Sequence, residues 1–263
     1  MGQLPSLASF RLSARGLPVL DRFLYMPYQY FLDLFIEMGH VIWIMGVNVV
    51  VKAKVSFAPS VRRLPSYLHI IRAAQKTGDF YISGTVIAQE LNLEPIQVRK
   101  DLAITGIIGK PKKGYPVEAL INAIEHYLGW DQLHNAVLVG AGNLGSALIG
   151  YPEFQLHGLK FVAAFDTDPH KVGQRVHGVP IHGMDSLERT INDLDARIAV
   201  LTVPSPMAQV TAETLVKAGI MGIWNFTNVK LKIDSDVVVQ REDLSSGFAM
   251  LSVMMNTRKG ECV

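Results

Sequence analysis

A cluster of closely spaced glycines is the part of this sequence whose chemistry can be read most directly. The motif consists of Gly140, Ala141, Gly142, Asn143, Leu144 and Gly145, with apolar residues at 136–139 before it and at 147–149 after it. This order predicts a strand, a tight turn and the start of a helix. Gly140 permits the turn, Gly142 lets a pyrophosphate approach the backbone, and Gly145 lets the helix and strand pack closely. An anion would then face the first N–H groups of the helix.

An acidic residue follows at the spacing expected for ribose recognition. Asp166 ends the apolar run 160–165 and lies 21 residues after Gly145. A carboxylate at this place accepts a hydrogen bond from an adenosine ribose 2′-OH and would repel a 2′-phosphate. The sequence therefore predicts an NAD(H) site rather than an NADP site. Two alternatives remain open: a packing turn without a ligand, and a site for another nucleotide such as a coenzyme A.

Charge is unevenly distributed along the chain, although the net charge is only +2. Residues 52–115 carry 11 Lys and Arg against 4 Asp and Glu, whereas residues 116–263 carry 11 against 16. A basic segment beside an acidic one favours a polyanionic partner for the first. Within it, Pro65 is predicted to open a helix, Ser83 to cap a second, and Pro95 to begin a third that ends near Ile104. This order is typical of a helix-turn-helix.

The third predicted helix has one apolar face, formed by Val98 and Leu102. The residues left off that face are Gln97, Arg99 and Lys100. Such side chains read base edges in the major groove of DNA. Residues 106–117 then predict a β-hairpin wing whose turn carries Lys110, Lys112 and Lys113, positioned for phosphates. An ordinary solvated charged face is the alternative interpretation.

The first 55 residues are the least informative. An apolar stretch at 23–51 is interrupted by Asp33, Glu37 and His40, and its longest uninterrupted piece is shorter than the ~20 residues that a bilayer helix needs. We interpret residues 1–55 as an extension outside the fold, translated from an upstream start codon, with Met38 or Met45 as the alternative start. A membrane anchor is the minority interpretation, and we expect no membrane partner. The single cysteine, Cys262, indicates a reducing, cytoplasmic setting.

Taken together, these motifs resemble the Rex family of redox-sensing transcriptional repressors. The resemblance spans about residues 63–252 and is carried by residues 63–68, 97–102, 139–145, 165–169, 171–173 and 225–226. It implies a homodimer that binds double-stranded operator DNA when NADH is scarce and releases it when NADH binds. It also implies that Tyr151 lies near the nicotinamide and that Asp243 links a swapped C-terminal helix to the switch. His69 stands where the family often has an arginine.

The predicted fold class is α/β, with an N-terminal winged helix-turn-helix domain, a Rossmann-like parallel sheet and a C-terminal swapped helix. The expected segments are the extension at 1–55, the winged helix at 56–117, a linker helix at 118–133, the Rossmann NAD(H)-binding domain at 134–240, and the swapped helix and tail at 241–263. The alternating apolar runs and helical patterns of the second half favour a parallel sheet with helices on both faces.

An NAD-dependent oxidoreductase with an appended helical domain is the rival interpretation. Hydride transfer to a substrate usually needs a positioned acid, base or metal. No tyrosine in the chain has a lysine four residues later. Five histidines are predicted on surface turns: His134, His157, His170, His177 and His182. We therefore predict no catalytic residue and no metal ligand.

Overall fold

The computed structural model describes residues 58–233 and 236–258. All of them belong to the second of two compact units, Lys52–Val263. The predicted extension at 1–55 and Cys262 lie outside the described residues. Among the helices that are described, none is long and apolar enough to cross a membrane.

The first part of the described chain is a helix-turn-helix followed by a wing. Its elements are α1 (Ala58–Lys76), β1 (Tyr81–Ile82), α2 (Gly84–Glu90), α3 (Pro95–Ala103), β2 (Tyr115–Pro116) and α4 (Val117–Leu128). The side chain of Ser83 caps α2 by accepting a hydrogen bond from the Val86 N–H at 3.2 Å. Pro95 is the first residue of α3, where its missing N–H removes no helical hydrogen bond. Both predicted helix starts are confirmed.

The prediction that Pro65 opens the first helix is wrong. Helix α1 already includes Ala58, and Pro65 lies in its interior. A proline there removes a backbone donor, so the turn before it needs other support. Leu64 is fully buried in the core, and Arg63 is paired with the buried carboxylate of Asp101. These tertiary contacts hold the turn helical.

The strand pairing of the wing in the structure differs from the predicted hairpin. Residues 106–109 form no strand, and the returning arm β2 instead pairs antiparallel with β1, with Ile82 opposite Tyr115. The turn between the arms is closed by the Lys110 N–H, which donates to the Gly114 carbonyl at 2.7 Å. A Cβ on Gly114 would lie 2.8 Å from the carbonyl carbon of Ile82. Strand β1 therefore pairs with β2 in the place where residues 106–109 were expected to pair with it.

One hydrophobic core joins all four helices of this part. Its fully buried members include Leu64, Ile71, Ile87, Leu102 and Ile124. Helix α4, predicted as a linker, contributes Leu120, Ile121 and Ile124 to that core. The helix therefore stabilises the winged-helix part as well as connecting it to the sheet.

The second part is a seven-stranded sheet covered by helices. Its strands are β3 (His134–Val139), β4 (Leu159–Asp166), β5 (Arg175–Val176), β6 (Val179–Gly183), β7 (Ile198–Leu201), β8 (Gly222–Asn225) and β9 (Val238–Arg241). Its helices are α5 (Asn143–Ile149), α6 (Pro152–Leu156), α7 (Leu187–Asp193), α8 (Ser205–Lys217) and α9 (Ser245–Arg258). The strand order is β5-β6-β4-β3-β7-β8-β9. All neighbours are parallel except β5 and β6.

Alternate residues of the central strand β3 enter two different cores. Val137 and Val139 pack in the cluster that holds Leu187 and Leu215 from α7 and α8. Leu138 packs in another cluster, with Leu148 and Ile149 of α5 against it. The predicted parallel sheet with helices on both faces is confirmed. Because β3 lies between β4 and β7, the strand order reverses beside its carboxyl end, where ligands of this architecture bind.

Candidate dinucleotide site and nucleic-acid interface

The glycine turn lies at this reversal point, and its first glycine is required by the backbone. Gly140 follows the last residue of β3 and has a φ of +101°. A Cβ there would lie 2.8 Å from the carbonyl carbon and oxygen of Thr202, just beyond β7. The Thr202 hydroxyl in turn donates to the Gly140 carbonyl at 2.8 Å. These contacts fix the turn against the neighbouring strand.

The other two glycines have different surroundings. A Cβ on Gly145 would overlap the Gly140 carbonyl oxygen and lie 2.8 Å from Leu138 Cδ2, so this position is needed for close packing of helix on strand. A Cβ on Gly142 would meet no atom within 4 Å. Gly142 is the N-cap of α5, whose first amides have no intrahelical acceptor. An open space over those amides can admit an anion.

Asp166 ends β4 at the same edge of the sheet. Its Oδ1 accepts from the Asp168 N–H at 2.9 Å, and its Oδ2 accepts from Lys171 Nζ at 3.0 Å. Burial alone would raise the pKa of Asp166, but these two donors outweigh burial and lower it. The carboxylate is therefore ionised and oriented, and its remaining lone pairs can still accept from a hydroxyl.

Tyr151 is the N-cap of α6 and stands at the head of an aromatic row. Its ring packs edge-on against Phe154 at 4.9 Å, and Phe154 packs against Trp224 at 5.3 Å. The Tyr151 hydroxyl donates to Glu153 Oε2 at 2.9 Å, and this hydrogen bond raises the pKa of Tyr151. Sequence reasoning missed Phe154, Glu153 and Trp224, because their grouping depends on how α6 lies against the end of β8.

Glu153 also connects the sheet domain to the winged-helix part. The same Oε2 that accepts from Tyr151 lies 3.9 Å from Nε2 of His69 on α1. His69, noted from the sequence only as a departure from the family pattern, thus faces the acid that holds Tyr151. A second junction contact joins the modules where His157 stacks on Trp130, with ring centroids 3.8 Å apart.

Two of the five histidines predicted on surface turns lie in strands, and a third lies on a turn but is partly buried. His134 begins β3, and His182 belongs to β6. His157 follows α6 and is partly buried beside Trp130; this burial, with the nearby positive charge of Arg72, lowers the pKa of His157. Within residues 58–233 and 236–258, no three His, Cys, Asp or Glu side chains are grouped closely enough to hold a metal ion.

Asp243 acts locally as a cap for α9. Its Oδ1 accepts from the Ser245 hydroxyl at 2.5 Å and the Ser245 N–H at 3.0 Å, which lowers the pKa of Asp243. Arg241 lies 3.7 Å from its other oxygen. In the part of one chain that the structure describes, Asp243 and Tyr151 thus have separate partners and are not brought together.

Helix α9 carries large apolar side chains around its circumference, and within the residues that the structure describes these side chains remain largely exposed. Its large exposed side chains are Phe248, Met250, Leu251, Val253, Met254 and Met255, each more than half exposed. A helix that is apolar all round is normally buried. This segment therefore exposes an unusual amount of apolar surface among the described residues.

Helix α3, the third helix of the winged-helix part, presents its charges as predicted, with one difference. Val98 and Leu102 are fully buried, whereas Arg99 and Lys100 are exposed. Gln97 is half-buried, and its Nε2 donates to Asp101 Oδ1 at 2.8 Å. Gln97 is therefore held back towards the core, and the two cations project farthest from α3.

Asp101 anchors α3 from beneath. Besides Gln97, its fully buried carboxylate accepts from Arg63 Nε at 2.6 Å, Arg63 Nη2 at 2.9 Å and the Tyr67 hydroxyl at 2.6 Å. Both donors lie on α1, so the network sets the angle at which α3 is presented. Sequence reasoning missed it, because Arg63 and Asp101 are 38 residues apart.

The wing lysines border a groove of about 450 Å³ beside α3. The groove is lined by Arg99, by residues 83–85 at the start of α2, and by residues 109–115, including Lys110, Lys112 and Lys113. Lys112 takes a φ of +62° at the tip of the turn. The structure thus brings the predicted wing cations and Arg99 around one basic groove.

Two family models match the chain. One is described as the N-terminus of a putative DNA-binding protein and matches residues 54–103. The other is described as a CoA binding domain and matches residues 131–229, which include the glycine turn. The two matches coincide with the helix-turn-helix and with most of the sheet.

Individual relatives and solved structures identify the family more specifically than the two family models do. The redox-sensing transcriptional repressor Rex of Treponema denticola is 60% identical over 208 residues, covering 79% of this chain and 99% of that protein. The repressor of the same name from Bacteroides thetaiotaomicron is 40% identical over 198 residues, covering 75% and 89%. RSP, a Rex-family repressor, superposes with a TM-score of 0.71 at 32% identity, covering 79% of this chain and 97% of that chain. Crystal structures of RSP contain β-NAD⁺ with operator DNA, or β-NADH. The chain described here therefore belongs to the Rex family of redox-sensing transcriptional repressors.

Proposed function

We propose that this chain binds operator DNA through its winged helix when NADH is scarce and releases the DNA when NADH binds. The observation that carries the proposal is the position of Glu153, which accepts from the Tyr151 hydroxyl and faces His69 on α1. Glu153 therefore links the sheet domain to α1, and α1 in turn holds α3 through Asp101. The ligands crystallised with RSP support the same assignment.

The glycine turn fits a dinucleotide. The open space over Gly142 would receive the pyrophosphate, and the amides that begin α5 would donate to it, which assigns contacts to Ala141, Asn143 and Leu144 as well as to the three glycines. Asp166 would accept from the adenosine ribose, and Tyr151 would lie near the nicotinamide. The bound cofactor supplies the signal, because its nicotinamide ring is positively charged in NAD⁺ and neutral in NADH.

The DNA interface would have two parts. Arg99 and Lys100 on α3 would contact base edges in the major groove, where each well-formed contact contributes roughly 1–3 kcal/mol of discrimination. Gln97 would join them only if its side chain left the hydrogen bond to Asp101. Lys110, Lys112 and Lys113 would neutralise backbone phosphates, which contributes affinity without sequence preference.

We infer that the acting species is a homodimer. The exposed apolar helix α9 requires a partner, and a second copy offers the same helix in return. A dimer also places two α3 helices on two half-sites, which must lie about 34–36 Å apart or a multiple of that distance. In this assembly Asp243, at the start of α9, would reach the partner's junction between domains.

Coupling between NADH binding and DNA binding then needs one structural element that can take two positions. The contact between α6 and α1 through Glu153 is the candidate, since cofactor binding beside Tyr151 changes the partners available to Glu153. A shift of α1 moves α3 as well, because Asp101 ties the two helices together. NADH would thereby move the two α3 helices out of the spacing that DNA demands.

The remaining assignments follow from this function. We propose that the dinucleotide is a ligand rather than a cosubstrate, and that the protein acts in the cytoplasm, where bacterial DNA is found. The proposed functional segments are the winged helix at 56–117, the connecting helix at 118–133, the Rossmann domain at 134–240, and the C-terminal helix and tail at 241–263.

The test is a pair of reciprocal titrations. Duplexes that the protein selects from a random-sequence pool are titrated with NADH, with NAD⁺ and with coenzyme A, and the dissociation constant of the DNA is measured in each case. NADH should weaken DNA binding, and the DNA should weaken NADH binding by the same factor. Equal DNA affinity with and without NADH refutes the switch. Steady NADH oxidation with carbonyl substrates would instead support the oxidoreductase alternative, and antagonism by coenzyme A alone would reassign the site.

A further inference from the structure

The wing contains an aromatic contact that neither the motifs nor the proposed interface accounts for. Tyr81 lies in β1, opposite Pro116 of β2. Its hydroxyl accepts a hydrogen bond from Lys110 Nζ at 3.1 Å. The same Nζ lies 5.4 Å from the centroid of the Tyr81 ring, and Lys113 Nζ lies 5.6 Å from it. One tyrosine thus contacts two of the three wing lysines.

The Tyr81 ring offers these two lysines an attractive surface. Their ammonium groups carry like charges, and each long side chain loses rotamer freedom when it is held. The negative face of a tyrosine ring attracts ammonium ions within about 6 Å. The hydroxyl adds an acceptor for Lys110, and the proximity of Lys110 lowers the pKa of Tyr81 in return.

The backbone leaves little room for the wing to move away from this ring. The turn between Lys110 and Gly114 is closed by hydrogen bonds in both directions, at 2.7 and 3.0 Å. Gly114 lies directly against the backbone of Ile82, the residue after Tyr81. The ring and the two lysines are therefore kept side by side at the edge of the basic groove.

We propose that Tyr81 is a positioning residue of the DNA interface, which holds Lys110 and Lys113 in the arrangement that meets backbone phosphates. The inference rests on the proposed DNA-binding function. A side chain that must be ordered during binding lowers affinity by a factor of roughly 2 to 12. Tyr81 orders two lysines before DNA arrives, so the complex forms without that loss.

The experiment compares Tyr81→Leu and Tyr81→Phe with the parent on a mixed-sequence duplex of about three helical turns, across a range of salt concentrations. Tyr81→Leu should weaken binding about 3- to 10-fold. Its dependence on salt should stay that of the parent, because both lysines are still present to neutralise phosphates. Tyr81→Phe keeps the ring and loses only the hydroxyl, so its affinity should fall between the two.

Phe80→Leu is the matched control. Phe80 precedes Tyr81 and is 85% exposed, so its replacement should leave DNA affinity unchanged. A double-mutant cycle gives the sharpest readout. In a Lys110→Ala and Lys113→Ala background, Tyr81→Leu should have no further effect, because the groups it positions are gone.

The outcomes separate this inference from the function on which it rests. Parent affinity in Tyr81→Leu, or an equal loss in both backgrounds, overturns the positioning role while leaving DNA binding intact. A shallower salt dependence in Tyr81→Leu also overturns it, since that result means the wing itself has been lost. A parent protein that binds no duplex overturns the proposed function and this inference together.

Discussion

Replacing Asp101 with alanine tests whether the buried network beneath α3 holds the DNA-binding module together. The carboxylate is fully buried and accepts from Arg63, Tyr67 and Gln97 at 2.6–2.9 Å. Removing it leaves a guanidinium without its counter-charge and a buried tyrosine hydroxyl without its acceptor. Breaking a buried ion pair from one side costs about 3–5 kcal/mol. Because the Arg63 side chain is 31% exposed and can regain some hydration, we expect about 3 kcal/mol.

The dependence of this loss on pH is specific to Asp101. Burial alone would raise the pKa of Asp101, but the hydrogen bonds from Arg63 and Tyr67 outweigh it and hold the pKa below its usual range. A group with a depressed pKa adds stability at every pH above its unfolded value of about 3.9, and this stability disappears as the pH falls through the folded value. The difference between the parent and Asp101→Ala should therefore be constant near neutral pH and shrink below about pH 4.

The measurement is urea-induced unfolding followed by far-UV circular dichroism, repeated from neutral to acidic pH. Tyr67→Phe is the matched control, since it keeps the buried ring and removes one hydrogen bond, at a cost of about 1–2 kcal/mol. Burial and the hydrogen bond to Asp101 raise the pKa of Tyr67 to about 12, so the tyrosine stays neutral throughout. An Asp101→Ala protein within 1 kcal/mol of the parent, or a difference that does not change with pH, refutes this reasoning.

Four further predictions concern the two interfaces. Gly142→Val should fold normally, because a Cβ there meets no atom within 4 Å, yet should lose NADH binding by calorimetric titration, since the side chain fills the pyrophosphate space. Asp166→Ala should bind NADH less tightly and discriminate less against NADPH; a parent that binds both equally contradicts the role given to Asp166. Arg99→Ala combined with Lys100→Ala should weaken operator binding by roughly 1–3 kcal/mol per lost contact while NADH affinity is retained. Lys112→Asn, which keeps a residue type that tolerates the φ of +62°, should reduce the salt slope of DNA binding by about one with an unchanged melting temperature.

The sequence by itself determined those features that depend on near neighbours. The glycine turn and the distance to Asp166 were readable because a strand, a turn and a helix start are specified within a few residues. The caps at Ser83 and Pro95 are local for the same reason. The alternation of apolar runs predicted the parallel sheet. These rules act over one turn of helix or one pair of strands, so no tertiary contact was needed to apply them.

The tertiary structure decided everything that joins distant parts of the chain. Pro65 lies inside a helix because Arg63, just before it, is held by Asp101, a contact between residues 38 positions apart. Beyond the Lys110–Gly114 bridge, the returning arm of the wing pairs with β1, and Tyr81 thereby meets Lys110 across 29 positions. Glu153 faces both Tyr151 and His69 only because the fold brings α6 near α1. Hydrogen bonds and ion pairs of this kind form between whichever polar groups packing brings within about 3–4 Å, and that proximity is a property of the folded chain rather than of sequence spacing.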